Sequence, residues 1–272
     1  MPVATASTPS LAATRFAVVD VETSGLRPDR HRLLQIGVVR ITGDGTVLDR
    51  WDTFLRAPWR PVGGRDIHGL SRRTLRGAPR VRHVADQLVS LFDGCIVCAH
   101  NADFDWPFLA RGLRRAGLAV PDALRLCTLR LSRSLDPERA RSHRLGDLCL
   151  RYDIPLIRAH DAAADAEATA MLLPRLLATA GISERAQLEP YLAGTTTAWT
   201  ASVARAADAA PDPLSGRAPA PWPPPLPPPD AARVAPAPPP RAQGAATGAP
   251  AIAPTTPAAP PRGGRVRPVS RS

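Results

Sequence analysis

Two carboxylates, Asp20 and Glu22, stand one residue apart at the end of the apolar run "RFAVVDVET". Such a run predicts a buried strand, in which residues two apart point to the same face of the sheet. The two side chains would then lie next to each other, where like charges repel and burial raises the cost of each charge. The pair therefore predicts a shared counter-charge at this strand end.

A second acidic cluster lies in "HNADFDWPFL", residues 100–109, directly after another apolar run. Pro107 is best tolerated in the first turn of a helix, so Asp103 and Asp105 would flank a helix N-terminus. Capping of the helix is the ordinary use of aspartate at that place. The residues alone leave both uses, capping and chemistry, open.

A third cluster lies in "AHDAAADAEATAMLL", residues 159–173, which has helical spacing. One stripe of this predicted helix is formed by Asp165, Thr169, Leu172 and Leu176. A carboxylate that heads an apolar stripe points inward, so we expect Asp165 to face the sheet. Asp161 is predicted as the N-cap, and His160 precedes it at the entry to the helix.

The three clusters together need a cation. Mg²⁺ and Mn²⁺ prefer carboxylate and water oxygens as ligands. Two such ions about 3.5–4 Å apart are the recurring arrangement for in-line displacement at phosphorus. The acidic residues therefore predict metal-dependent phosphoryl chemistry.

The elements that must position these residues read as an α/β fold. Strands are predicted over 15–23, 33–41, 50–57, 95–100 and 124–129, and "GDG" at 43–45 predicts a hairpin between the second and third. Helices are predicted over 80–94, 104–117, 143–152 and 161–178. Three antiparallel strands followed by alternating helices and strands predict one mixed five-stranded sheet flanked by helices.

The composition changes near residue 210. Of the 32 prolines, 20 lie in 211–272, in runs such as "PWPPPLPPP". Such a segment cannot bury enough apolar surface to offset its ordering entropy. We therefore predict a globular domain over 12–182, a helical extension over 183–210 and a disordered, basic, Pro-rich tail over 211–272.

The charge balance is strongly basic, with a formal net charge of +11 and a sequence pI of about 11.1. No lysine is present, so all 35 basic residues are arginine. Arginine codon usage in a GC-rich genome explains the choice of residue, whereas phosphate binding explains the excess charge. Both explanations stay open, and the excess suggests an acidic polymer as partner.

Several protein classes are excluded by pattern. The four cysteines are too few and too far apart for a disulfide scaffold, and Cys95 and Cys98 would face opposite sides of a strand. The N-terminal residues lack the pattern of a signal peptide, and no apolar run reaches the ~18 residues of a membrane span. We therefore expect a cytoplasmic protein with no membrane partner.

The three motifs "DVETSG", "HNADFD" and "HDAAAD" resemble those of the DEDD exonuclease family, in its histidine-containing DEDDh branch, which includes the epsilon proofreading subunit of bacterial DNA polymerase III. The family pattern D-x-E-[TS] matches Asp20, Glu22 and Thr23. The pattern H-N-x-x-F-D selects Asp105 over Asp103. The resemblance covers about residues 14–180, with the motifs in the family order.

The third family pattern, H-x₄-D, matches His160 and selects Asp165 over Asp161. The resemblance implies a ribonuclease-H-like fold and two Mg²⁺ or Mn²⁺ ions, which would be held by Asp20, Glu22, Asp105 and Asp165. His160 would be the general base, a role for which histidine is the ordinary choice near neutral pH. Thr23 and His68 would contact the terminal nucleotide.

The resemblance implies stepwise 3′→5′ release of nucleoside monophosphates from single-stranded DNA 3′ ends, by a proofreading enzyme with a DNA polymerase catalytic subunit as partner or by a stand-alone trimming nuclease. An RNA-directed member similar to ribonuclease T or oligoribonuclease is the first alternative. The motifs do not separate the two, because they address phosphate and metal rather than the 2′-hydroxyl. A non-catalytic nucleic-acid-binding scaffold is the second alternative.

Overall fold

A computed structural model describes residues 10–56 and 62–199 of the protein. Its centre is a mixed sheet of six strands in the order β3-β2-β1-β4-β5-β6. The strands are β1 (Arg15–Thr23), β2 (Leu33–Thr42), β3 (Val47–Phe54), β4 (Ile96–Ala99), β5 (Arg125–Cys127) and β6 (Leu192–Ala193). β1, β4 and β5 are parallel to one another, whereas β2, β3 and β6 pair antiparallel with their neighbours.

Six α-helices flank this sheet within the described residues. They are α1 (Arg65–His68), α2 (Val81–Phe92), α3 (Ala102–Arg115), α4 (Thr128–Ser134), α5 (Leu145–Arg151) and α6 (Ala162–Thr179). Short 3₁₀ helices cover Leu11–Ala13 and Arg185–Tyr191. No helix in the described ranges has the length and apolar character required to cross a bilayer. The predicted mixed sheet with flanking helices is confirmed.

The structure adds a sixth strand that the sequence does not reveal. β6 has two residues, too few for a periodic pattern, and it extends the sheet at β5. β6 lies in the region 183–210, for which the sequence predicts helix. The structure describes this region up to residue 199, and it contains the second 3₁₀ helix, then β6, then a segment that ends at Trp199. Trp199 is buried there, with its ring 5.1 Å from Phe92 and 6.0 Å from Trp106. The predicted disordered tail, 211–272, lies outside the described residues.

The two faces of β1 form two separate cores. Ala17, Val19 and Val21 pack with α2 and α3 on one face. Phe16 and Val18 pack with α5 and α6 on the other face. The four cysteines are buried and free, and Cys95 and Cys98 belong to different cores, as expected for residues three apart on a strand.

The start of α6 lies close to the backbone of β2. Gly37 on β2 pairs with Asp20 on β1. A Cβ atom at Gly37 would stand 2.3 Å from the carbonyl oxygen of Ala162, the first residue of α6. Only a residue without a side chain permits this approach, which brings the N-terminal turn of α6 to the face that carries Asp20.

This close approach predicts the effect of a single methyl group. We expect Gly37→Ala to lower the free energy of unfolding by about 2–3 kcal/mol, because α6 must move away from the sheet. The matched control is Gly146→Ala on α5, where a Cβ meets nothing within 4 Å. Alanine is the better helix former, so this control should be neutral or stabilising. Urea unfolding of both variants measures the difference, and equal stabilities would contradict the packing argument.

Candidate active site

Asp20 and Glu22 lie near the carboxyl end of β1 on the face covered by α6. Their cross-strand partners on β2 are Gly37 and Gln35. Glu22 is buried, with 9% of its surface exposed, and Asp20 is half-buried. The side-by-side arrangement predicted from the alternation of the strand is therefore present.

Asp105 reaches the same strand end from α3, on the opposite face. Its side chain is buried, and its Oδ1 accepts a hydrogen bond of 3.2 Å from the backbone N–H of Val21. Asp103 instead lies at the surface, where it pairs with Arg130 at 2.5 Å. The structure thus separates the two aspartates that the local sequence alone left equivalent.

The predicted position of Pro107 in the first helical turn is wrong. α3 begins at Ala102, so Pro107 is its sixth residue and lies inside the helix. The residue before the helix, Asn101, has the left-handed conformation with φ of 82° and makes no side-chain cap. Asp105 is therefore free of capping and is available to the site.

His160 and Asp165 complete the cluster from the start of α6. Asp161 caps the helix as predicted, accepting a bond of 3.1 Å from the N–H of Ala163. The backbone N–H of His160 donates to Oδ2 of Asp165 at 3.0 Å. His160 is exposed and has a φ of 64°, a left-handed conformation that is uncommon for a residue with a side chain. This turn brings its ring beside Asp165.

Gln35 is a positioning residue that the sequence analysis missed. Its side-chain nitrogen donates to Oδ1 of Asp161 at 3.3 Å, and its side-chain oxygen accepts from the N–H of Ala162 at 3.4 Å. Both bonds tie the start of α6 to β2, opposite Glu22. The available signal was one amide in the otherwise apolar run "LLQIGVV", a strand predicted to be buried.

Burial and mutual repulsion raise the pKa values of the four carboxyl groups. The pKa of Glu22 rises from 4.5 to about 8, through burial first and then the charges of Asp165 and Asp161. Burial likewise raises the pKa of Asp105 from 3.8 to about 8, against the lowering effect of its backbone hydrogen bonds. The pKa values of Asp20 and Asp165 are raised as well, chiefly by burial. At neutral pH this cluster attracts either protons or a cation.

The residues fit a divalent cation. One ligand atom each of Glu22, His160 and Asp165 lies within 4.8 Å of the others. Among the described residues, Oδ1 of Asp165 is buried and has no hydrogen-bond partner. A buried carboxylate oxygen without a partner is costly, and a cation ligated by this oxygen would remove that cost.

Thr23 and His68, the predicted substrate contacts, lie near each other: a Cβ atom at Gly64 would stand 3.1 Å from Nε2 of His68 and 3.8 Å from the carbonyl oxygen of Thr23. The hydroxyl of Thr23 donates to the carbonyl of Gly25 at 2.8 Å. His68 uses both ring nitrogens within its own loop, with Nδ1 accepting from Leu70 and Nε2 donating to Gly63. Any contact of His68 with a nucleotide would therefore use the ring face or a carbon edge, not a hydrogen bond.

Comparison with known proteins identifies the class to which this fold and cluster belong. The exonuclease family model RNase_T matches residues 17–173, which is more than half of the chain. The chain therefore belongs to this exonuclease family, and the resemblance to DEDD exonucleases is confirmed. The three acidic motifs, at residues 20–25, 100–105 and 160–165, fall within the matched residues, and so does α6 up to residue 173.

The relatives by sequence are large polymerases. The PolC-type DNA polymerase III of Halalkalibacterium halodurans is 34% identical over 166 residues, which are 60% of this chain and 11% of that polymerase. The corresponding protein of Bacillus subtilis is 35% identical over 166 residues, again 60% of this chain and 11% of the relative. The chain thus spans only about a tenth of the length of these relatives.

Solved structures share the fold. Exonuclease I of E. coli in complex with a dT13 oligonucleotide has a TM-score of 0.54 and 22% identity, over 65% of this chain and 43% of that chain. Cell-death related nuclease 4 has a TM-score of 0.51 and 16% identity, over 61% of this chain and 64% of that chain. At these identities the likeness concerns the fold alone.

The raised pKa values predict how stability depends on pH without metal. Between pH 4.5 and about 8, the unfolded chain has lost the proton of Glu22 while the folded protein keeps it. We therefore expect the metal-free protein to lose stability as pH rises through this window, by on the order of a few kcal/mol. Mg²⁺ or Mn²⁺ should raise Tm more at pH 8 than at pH 5, measured by thermal unfolding after EDTA treatment.

A substitution tests whether buried charge in the cluster causes this pH dependence. Asp105→Asn removes one charge and keeps an oxygen for the Val21 N–H, so it should raise Tm of the metal-free protein at pH 8. Asp103→Asn is the matched control, because its carboxylate is exposed and paired with Arg130. A Tm for Asp105→Asn no higher than that of the parent would contradict a destabilising buried charge at Asp105.

Proposed function

We propose that this protein is a metal-dependent 3′→5′ exonuclease that releases nucleoside monophosphates from single-stranded DNA 3′ ends. The observation that supports this most is the convergence of four carboxylates and His160 at one edge of an exonuclease-family fold. Their repulsion and the unpartnered oxygen of Asp165 favour a cation there. Cleavage of phosphodiesters is the chemistry for which such a cluster is suited.

Two divalent ions, Mg²⁺ or Mn²⁺, are the cofactors of this proposal. Asp20, Glu22 and Asp165 would hold one, and Asp20 with Asp105 would hold the other. When bound, such ions neutralise phosphate charge and lower the pKa of a coordinated water. The residues of the chain supply the rigid frame: Asp105 is anchored to the N–H of Val21, and Asp165 to the N–H of His160.

His160 is proposed as the general base that takes the proton of the attacking water. Its ring is exposed and lies beside Glu22 and Asp165, so it can exchange a proton with solvent between turnovers. The left-handed backbone at this residue sets the direction of the side chain, and its N–H bond to Asp165 keeps that backbone in place.

The 3′-terminal nucleotide would lie over two loops, one formed by Thr23 to Gly25 and the other containing His68. Gly63 packs so closely on this strand end that a Cβ there would stand 2.6 Å from the carbonyl oxygen of Ser24. The two loops therefore form one rim. Thr23 would contact the nucleotide through the backbone and methyl group, because its hydroxyl is already bonded to Gly25.

DNA is proposed as the substrate, with support from the relatives. The curated relatives are DNA polymerases, and the exonuclease I structure holds a dT13 oligonucleotide. As an epsilon-like proofreader the protein would act with a DNA polymerase catalytic subunit, and as a trimming nuclease it would act alone. The cytoplasmic location expected from the sequence stays a prediction.

An oligonucleotide assay tests the activity. The full chain with Mg²⁺ or Mn²⁺ should shorten a 5′-labelled single-stranded DNA one nucleotide at a time, and EDTA should stop the reaction. Asp20→Asn should reduce the rate at least about 100-fold, since it loses a proposed ligand. Asp103→Asn, on the surface, should retain the parental rate.

The pattern of products decides between the alternatives. Immediate release of the labelled mononucleotide would contradict 3′→5′ polarity. An intact DNA strand beside a degraded RNA of the same sequence would assign the RNA-directed activity. Survival of both strands, with folded protein and metal present, would leave only the scaffold alternative.

His160 has a separate kinetic signature. We expect His160→Ala to lower kcat by about 10²–10⁴-fold, the usual contribution of a general base, and to flatten the acid limb of the pH–rate profile. His83→Ala is the matched control, because His83 is exposed on α2, outside the acidic cluster. Loss of activity with an unchanged profile shape would argue that His160 has only a structural or ligand role.

A further inference from the structure

A basic cavity borders the residues that follow β4 and takes no part in the chemistry proposed above. It has a volume of about 720 Å³, and its lining includes His100 and Asn101. Four arginines surround it: Arg133, Arg139, Arg141 and Arg144. None of its lining residues, all of them described, is an aspartate or glutamate. Its chemistry is therefore opposite to that of the acidic cluster.

The four arginine side chains are exposed to solvent, where a ligand can reach them. Within the described residues, no salt bridge or side-chain hydrogen bond within the protein involves their guanidinium groups. The nearby carboxylate of Asp136 is occupied, since it accepts from the backbone N–H groups of Ala140 and Arg141 and contacts the ring of His143. An arginine without a protein partner keeps its planar set of donors for a ligand, and phosphate is the group that matches it.

Hydrogen bonds join the loop that carries Arg139, Arg141 and Arg144 to the residue that follows β4 and to α4. His100, at the end of β4, contacts the hydroxyl of Thr128 at 2.9 Å and donates to the carbonyl of His143 at 3.0 Å. His143 is itself buried against Ser132 and Asp136. Burial lowers the pKa of His100 to about 4, with a smaller contribution from Arg133, so this ring stays neutral in its bonding role. The loop 136–144 is thus held to the core.

The position of the cavity in the sheet relates it to the acidic cluster. His100 and Asn101 follow β4, and Arg133 lies on α4, which follows β5 directly. β1, β4 and β5 are parallel, so their carboxyl ends lie at the same edge, and Asp105 also follows β4. The ends of β1 and β5 are two β-strand spacings apart, or about 10 Å. A few nucleotides of a single DNA strand can span that distance.

We propose that this arginine cavity binds backbone phosphates of the same strand, on the 5′ side of the nucleotide held at the acidic cluster. This inference rests on the proposed function and assigns the substrate a path along the carboxyl edge of the sheet. Phosphate contacts position a strand without reading its bases. The cavity therefore supplies affinity that is independent of sequence and sensitive to salt.

The test measures binding, so that it does not depend on catalysis. In the full chain with Asp20→Asn, which keeps the strand intact, Kd for a fluorescent oligothymidylate is measured by anisotropy across a salt series. Adding Arg133→Gln and Arg141→Gln should weaken binding roughly tenfold and lower the slope of log Kd against log salt by about 1.4, or about 0.7 for each lost phosphate contact. Arg144→Gln alone should lower it by about 0.7.

The matched control removes the same charge at the opposite edge of the sheet. Arg15 begins β1, and Arg185 lies in the 3₁₀ helix beside the bridge between Ser10 and Glu184. Arg15→Gln with Arg185→Gln should leave the salt slope of the parent, and thermal unfolding should show that all variants fold. A parental slope in the Arg133/Arg141 variant, or an equal change in the control, would overturn the proposal.

The kinetic counterpart separates this inference from the proposed function. With Asp20 restored, the ratio of KM for the oligomer to KM for the p-nitrophenyl ester of thymidine 5′-monophosphate should rise roughly tenfold in the Arg133/Arg141 variant. An unchanged ratio in an active enzyme would contradict the cavity alone. Failure of the parent to cleave either substrate would contradict the proposed function, while the binding experiment would still judge the cavity.

Discussion

The cost of holding four carboxylates together in a largely buried cluster is the constraint on which the rest of this structure depends. Asp20, Glu22, Asp105 and Asp165 come from β1, α3 and α6 and meet at one edge of the sheet. Burial makes each charge expensive, and proximity adds to the cost. Two apolar cores, one on each face of the sheet, offset this cost. A cation at the cluster would remove much of it.

The chain holds this unfavourable arrangement through backbone contacts instead of opposite charges. Gly37 lets the start of α6 approach β2, and Gln35 fastens it there through two hydrogen bonds. Asp105 is tied to the N–H of Val21. Neutral partners of this kind orient carboxylates and leave their charge uncompensated, which is what a metal-binding site requires. The arginines lie one or two strands away, where they can meet a phosphate without neutralising the acidic cluster.

Much of the fold could be predicted because long elements carry strong patterns. The apolar runs of β1 and β2 and the helical spacing of α2 and α6 are examples. The observed ends of these four elements lie within a residue or two of the predicted ends. β6, with two residues, and α4, which follows β5 without a loop, carry no such pattern, so neighbouring elements decide their conformation. Pro107 was misplaced because α3 accommodates a proline beyond its first turn.

The sequence by itself determined which residue types could hold a cation, because alternation in a strand and spacing in a helix place side chains on a known face. It also identified the family, through three short motifs in order. Only the tertiary structure decided that Asp105 is buried while Asp103 pairs with Arg130, and that Gln35 fastens α6. The physical reason is that contacts between residues distant in the chain depend on how helices pack on the sheet, which no local pattern records.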